Sequence, residues 1–393
     1  MRKYLAAGAL IASAVTPLAA ISGAGAATTG AATTGAATGP AAGPAGTLYV
    51  DNQISGTVTP ISIATNTAGK PIKAGSSPTT MQITPNGKTV YVIDSGGPGS
   101  TVTPISTATG KPGPPIKVQG PAYASAITPD GKTLYVANAS KSGTVTPIST
   151  ATNKAGPPIK VGSRPQFIAV TPNGKTAYVA NLGSGTVTPI PTATNKPGPP
   201  IKVGSGPGWI TFTPNGQTAY VSNNNAGTVT PISTATSKPG KAIKVGAYPY
   251  AITMTADGKT AYVSCDSGPG TVVPIATATN TAGKPIKVGD EPGVSLITPN
   301  GKTLYVTNGA SASVTPITIA TGIPGKAIKV GGAPSAIAVT ANGKTVYVAS
   351  QVPGTVTPIS TATNKAGKRI KTGNTPWSIV CAPTVCQSSS TTG

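Results

Sequence analysis

The chain has 393 residues, of which 50 are Gly and 41 Pro, a density of breakers that excludes long helices and coiled coils. Hydrophobic residues make up 38% and aromatics only 4%, so the core must be spread thinly along the chain. Histidine is absent and 7 acidic residues face 29 Lys plus Arg, which removes the commonest general base and metal ligand and leaves little for paired-carboxylate chemistry.

In chain order, Met1-Arg2-Lys3 is a short positive segment, and the stretch from Tyr4 to Ile21 is apolar apart from Pro17. Ala24-Gly25-Ala26 follows with small residues suited to cleavage. Residues 1–26 read as a secretory signal peptide. After its removal no apolar stretch is long enough to span a membrane as a helix. Residues 27–46 have neither aromatic nor charge and read as a flexible Ala/Thr/Gly linker. The expected location is extracellular, either free or associated with the cell envelope.

From Thr47 the chain repeats itself. T-[LVA]-Y-V recurs eight times, its tyrosines running from Tyr49 to Tyr347 at spacings of 42 to 44 residues. Variants of T-V-T-P-I recur eight times, from Ile61 to Ile359, and so does an I-K pair, from Lys73 to Lys371. A period of this length built of short β-rich runs predicts a propeller. Each unit reads as four antiparallel strands, A to D, with Asn-Gly or Asp-Gly at seven A–B turns from Asn86 to Asn342. The first unit begins at strand B, and residues 376–380 supply a last strand A. That strand completes the blade begun at the N-terminus. The expected fold is therefore all-β, an eight-bladed propeller over residues 47–380 with a C-terminal tail at 381–393, and a monomer.

T-L-Y-V-T-N at 303–308, with T-P-[ND]-G-K-T before most repeat tyrosines and T-V-T-P-I after them, resembles the YVTN β-propeller repeat family. The resemblance covers roughly residues 47–380. It implies strand A nearest the axis, strand D at the rim, and company among secreted and surface-layer proteins. Related propellers include sugar-lactone hydrolases and quinoprotein subunits, and seven blades are common, which makes seven the alternative to eight. One departure is a Pro inside every strand C. Proline lacks a ladder donor, so a bulge or bend is expected there.

An antiparallel meander puts A–B and C–D connections at one end and B–C and D–A at the other. Six lysines, among them Lys132, Lys175, Lys259 and Lys302, fall in A–B turns, and ten more fall in C–D connections. Asp51, Asp94, Asp266, Asp290 and Glu291 fall at the opposite end. The basic face suggests an anionic envelope polymer as partner, against a plain solubility role. The I-K lysines on strand D are read as guards against edge pairing. Nucleic acid is disfavoured, because Arg is scarce and aromatics are not interleaved with the lysines.

The repeats diverge most around the Pro that opens strand A. Tyr123, Phe167, Trp209, Tyr248, Tyr250 and Trp377 cluster there, with Arg164, Gln166, Asp290 and Glu291 in the same arc. Aromatic faces beside polar groups near a channel mouth suit a glycan, peptide or protein ligand. The competing reading makes Phe167 and Trp209 filler between blades. Cys381 and Cys386 are close enough for a disulfide that pins the tail, and Cys265 is expected free in a B–C loop. No catalytic residue, metal site or cofactor is predicted. The expected function is a non-catalytic binding scaffold, exported or envelope-associated, with its ligand at the D–A/B–C end. A lactonase-like or quinoprotein-like enzyme and a surface-layer structural protein are the alternatives.

Overall fold

The computed structural model describes residues 46–96, 99–382 and 385–390. The signal segment and all of the linker except Gly46 lie outside the described residues. Eight antiparallel sheets follow one another: residues 47–73 with 376–381, then 78–117, 122–160, 165–202, 207–244, 249–287, 292–329 and 332–371. They are blades 1 to 8. Their A strands contact one another in cyclic order, which makes the ring. Blade 1 is the shared one: Pro376–Cys381 pairs with Thr47–Asn52, Leu48 opposite Cys381 and Val50 opposite Ile379.

Strand B is buried almost throughout, because each blade is covered on both faces by its neighbours. Its repeat tyrosine ties the seam to the next blade. Tyr91 donates to Asn153 Oδ1 at 2.7 Å, Tyr135 to Asn195 at 2.6 Å, and Tyr347 to Asn66 at 2.6 Å across the closing seam. Each acceptor sits in a C–D turn with φ of 53–54°, a conformation Asn tolerates better than most residues. Gly110 and Gly322 take the equivalent places in blades 2 and 7, where no side chain is available to accept.

The expected disturbance of strand C is displaced one strand outward. Pro60 stands opposite Tyr49 in an unbroken register from Thr57 to Ser62. Strand D is what breaks. Its two pieces pair separately with the ends of strand C, Ile72–Lys73 with Val58 and Thr57, and Thr67–Ala68 with Ser62 and Ile61. Between them Gly69 N donates to Pro60 O at 2.8 Å, and the same Gly-to-Pro bond recurs in all eight blades. A Cβ at Gly69 would lie 3.2 Å from Pro60 Cγ, so a larger residue would push the outer chain off the proline by a few tenths of an ångström.

Two features have no counterpart in the sequence reading. Every A–B pair carries a register shift just after the start of strand A. The tail forms a further strand, Cys386–Ser390, which pairs with the inner edge of Gly332–Thr340, Val339 opposite Gln387. It therefore runs inside the ring. Cys381 and Cys386 are disulfide-bonded with Cα atoms 5.8 Å apart, which anchors the start of that strand. Cys265 is free but is not in a loop. It is the last residue of Thr260–Cys265, fully buried, and burial pushes its thiol up to about 12.

Candidate functional site

Strand A enters each blade at the end of the ring that carries the B–C and D–A connections, here the loop end. In seven blades the residue just before the opening proline is left-handed. Arg164, Tyr248 and Glu291 hold φ of 50°, 47° and 53°, and Thr375, Ala333 and two glycines complete the set. Positive φ costs an ordinary side chain on the order of 1–3 kcal/mol. In five of these blades the carbonyl of this residue also accepts from the adjoining B–C loop, as in Leu182 N to Arg164 O at 3.0 Å and Gly309 N to Glu291 O at 2.8 Å. Backbone position is thus common to the blades while the side chain varies. Arg164, Tyr248 and Glu291 are exposed on this rim, Tyr248 by 50%, and Asp290 is exposed beside Glu291.

The residues after the opening proline form a second tier. Gln166, Tyr250 and Trp377 are half-buried, as is Tyr123, which follows an extra residue in its blade. Burial pushes the Tyr250 phenol upward. Trp377 Nε1 is enclosed without an acceptor. Phe167 and Trp209 belong elsewhere. They are 2% and 4% exposed, their rings are 5.0 Å apart, and Trp209 meets Tyr250 edge-on at 6.0 Å. Both pack in the core between blades 4, 5 and 6, so they leave the candidate site. The bulge explains the division, since it separates the half-buried residue after the proline from the buried one that follows.

Two acids that fell outside the predicted site are structural. Asp94 accepts from the main chain of Ser76, Ser77 and Gly96 at 3.0, 2.6 and 3.2 Å and holds the D–A loop of blade 2 in place. Asp51 accepts from Trp377 N at 3.1 Å, from Ser378 N and from Ser378 Oγ at 2.9 Å. It satisfies the bulged main chain of the ring-closing strand, as Ser222 does for Trp209 N at 3.0 Å. Burial outweighs those hydrogen bonds and pushes its carboxyl up to about 7. The sequence signal was available: the same strand position is Ala in blades 3, 4 and 8.

A cavity inside the ring is lined by the inner strands of blades 4 to 7, including Trp209, Phe212, Met254 and Ser295, with Gln387 from the tail. It extends to the A–B turn residues Pro172 and Pro214, and no lining residue is ionisable. The ionisable side chains of the arc lie instead along the loop-end rim, Arg164 at blade 4 and Asp290 and Glu291 at blade 7, with Tyr248 at blade 6 between them. Among the described residues no group of three or more His, Cys, Asp or Glu could hold a metal ion.

A family model described as lactonase, 7-bladed β-propeller, matches residues 57–368. The dihydro-haem d1 dehydrogenase NirN is similar at 15% identity and TM-score 0.73, over 87% of this chain and 76% of that one. The periplasmic gluconolactonase of Pseudomonas aeruginosa aligns at 18% identity and TM-score 0.57, over 73% of this chain and 97% of that one. A putative 6-phosphogluconolactonase from Bacteroides fragilis aligns at 23% and 0.58, over 73% and 96%. No curated protein matches. These structural likenesses are likenesses of fold. The family match spans most of the chain, and it overturns the expectation of a non-catalytic scaffold in favour of the lactonase-like alternative.

Proposed function

The chain belongs to the lactonase family of β-propellers, and we propose that it hydrolyses a cyclic ester of a sugar acid at the loop-end rim. The family match carries this reading. The gluconolactonase and the putative 6-phosphogluconolactonase among its structural neighbours suggest the substrate class. Ring opening needs a water activated by a base and a donor for the oxygen of the tetrahedral intermediate. Without histidine, the exposed carboxylates of the arc are the available bases, and Glu291 is assigned that role. Tyr248 and Tyr250 from the adjacent blade offer aromatic faces to a sugar ring. Arg164 supplies a guanidinium suited to the carboxylate that ring opening releases. We place this activity outside the cytoplasm on the strength of residues 1–26.

The test is hydrolysis of a panel of aldonolactones by the purified chain. Glu291→Gln should lower kcat by about 100-fold or more, the range for loss of a general base, with KM little changed. Arg164→Ala should raise KM instead. Turnover that is unaffected by both changes would remove the rim from the reaction, and absence of turnover on every lactone would sink the reading itself.

A further inference from the structure

The opposite end of the ring, here the turn end, is built differently. Six A–B turns present a lysine: Lys88, Lys132, Lys175, Lys259, Lys302 and Lys344, all exposed. In each, the lysine main-chain N donates to the Asn or Asp two residues earlier at 3.0 Å. The lysine carbonyl accepts from the end of strand C, as in Thr107 N to Lys88 O and Thr361 N to Lys344 O, both 3.0 Å. Five more exposed lysines, Lys111, Lys154, Lys196, Lys238 and Lys365, stand at the same end where the outer strand begins. The other five expected in C–D connections, Lys70, Lys241, Lys284, Lys326 and Lys368, follow the glycine that bonds the strand C proline and so stand at mid-height in the break of strand D. Blade 5, whose A–B turn has Gln217 instead of lysine, still supplies Lys238. Only Asp130 and Asp257 oppose these eleven charges among the described residues. Their carboxyls are held low mainly by hydrogen bonds from Thr128 and Thr255. An ion pair, Lys132 to Asp130 at 3.8 Å, is on this face.

Solubility alone is served by interspersed charges of both signs, whereas a single-sign field on a rigid base attracts an opposite partner. We infer that the turn end is a docking surface for a flexible polymer of closely spaced phosphates. Lysine rather than arginine means recognition of point charges without bidentate geometry. The exposed Tyr248 lies at the other end, so bases have nothing to stack on and a nucleic acid gains no advantage. Among the described residues Ile323 is the one large exposed apolar side chain at this end, too little to insert into a lipid surface. The inference does not rest on the lactone reading.

The probe is long-chain inorganic polyphosphate, binding to the full chain and measured by titration calorimetry. If about six phosphates are engaged, affinity falls roughly 300-fold between about 0.05 and about 0.2 M salt, from a slope of about −0.7 per contact. Reversing Lys132, Lys175, Lys259 and Lys302 to Glu should weaken binding at least about 100-fold with the melting temperature unchanged, an effect of about 2.8 kcal/mol. Reversing four strand D lysines, Lys73, Lys117, Lys160 and Lys202, changes net charge equally and should cost less than about tenfold. Equal losses from the two quadruple variants would mean net charge alone and overturn the surface. So would binding as tight to single-stranded DNA or to phosphatidylserine vesicles, or no binding at low salt.

Discussion

The two ends of the ring are made from the same repeat and differ in what the repeat is allowed to change. At the turn end the Thr-Pro-Asx-Gly-Lys pattern is held by recurring bonds: Thr84 Oγ1 to Asn86 at 2.7 Å and Lys88 N to the same oxygen at 3.0 Å, repeated at Thr171, Thr298 and Thr340. Losing the Thr or the Asx removes those bonds, whereas the lysine position donates only its main chain and can change, as Gln217 N to Asn215 at 3.0 Å shows. At the loop end the main chain is tied by its own carbonyls, so the side chains of residues 164, 248 and 291 are free to differ. The lesson is that a repeat protein gains a site where backbone bonds alone fix the geometry.

That comparison breaks if the loop-end aromatics are alike. Trp209→Ala should cost about 3–5 kcal/mol in denaturant unfolding, because it empties a core position, whereas Tyr248→Ala should cost less than about 1 kcal/mol. A small loss at Trp209 would return it to the site.

A medium effect sharpens the contrast between the buried acid of blade 1 and the exposed acids of the rim. Asp51 binds its proton more tightly folded than unfolded, with values of about 7 against 3.8. Stability is therefore greatest below about pH 4, falls as pH rises to about 7, and is flat above. Histidine is absent, and Asp130 and Asp257 are shifted the other way, so this window reports Asp51. Thermal melts from pH 4 to 8 should show the decline, and Asp51→Asn should abolish it. A decline that survives the substitution assigns it to another group.

The smallest effect concerns the seams. Tyr347→Phe removes a hydroxyl bonded to Asn66 and should cost about 1 kcal/mol. Tyr262→Phe, whose partner turn has Gly322 in place of Asn, should cost only a few tenths. Equal costs would show that the hydroxyls contribute nothing to ring closure.

Blade number, strand order, the hairpin turns and closure of blade 1 by the last strand A were legible in the sequence, because each depends on local chemistry repeated eight times. So was the ring of lysines in the A–B turns, which follows from meander topology, but not that five of the ten lysines expected in C–D connections stand in the break of strand D. The split of strand D was only half legible: the missing proline donor was visible, but which strand would yield was not. Strand C is held on its inner side by Tyr49 and its neighbours, so the less constrained outer strand gives way. Residues 166 and 167, or 208 and 209, are one step apart in the chain, yet the first of each pair is half-buried and the second buried. The bulge that decides which is half-buried arises from how strand A meets strand B. The path of the tail was likewise settled by tertiary structure. Gln387 and its neighbours have no repeat to follow, and their place inside the ring depends on the unpaired inner edge of blade 8 and on the Cys381–Cys386 link beside it.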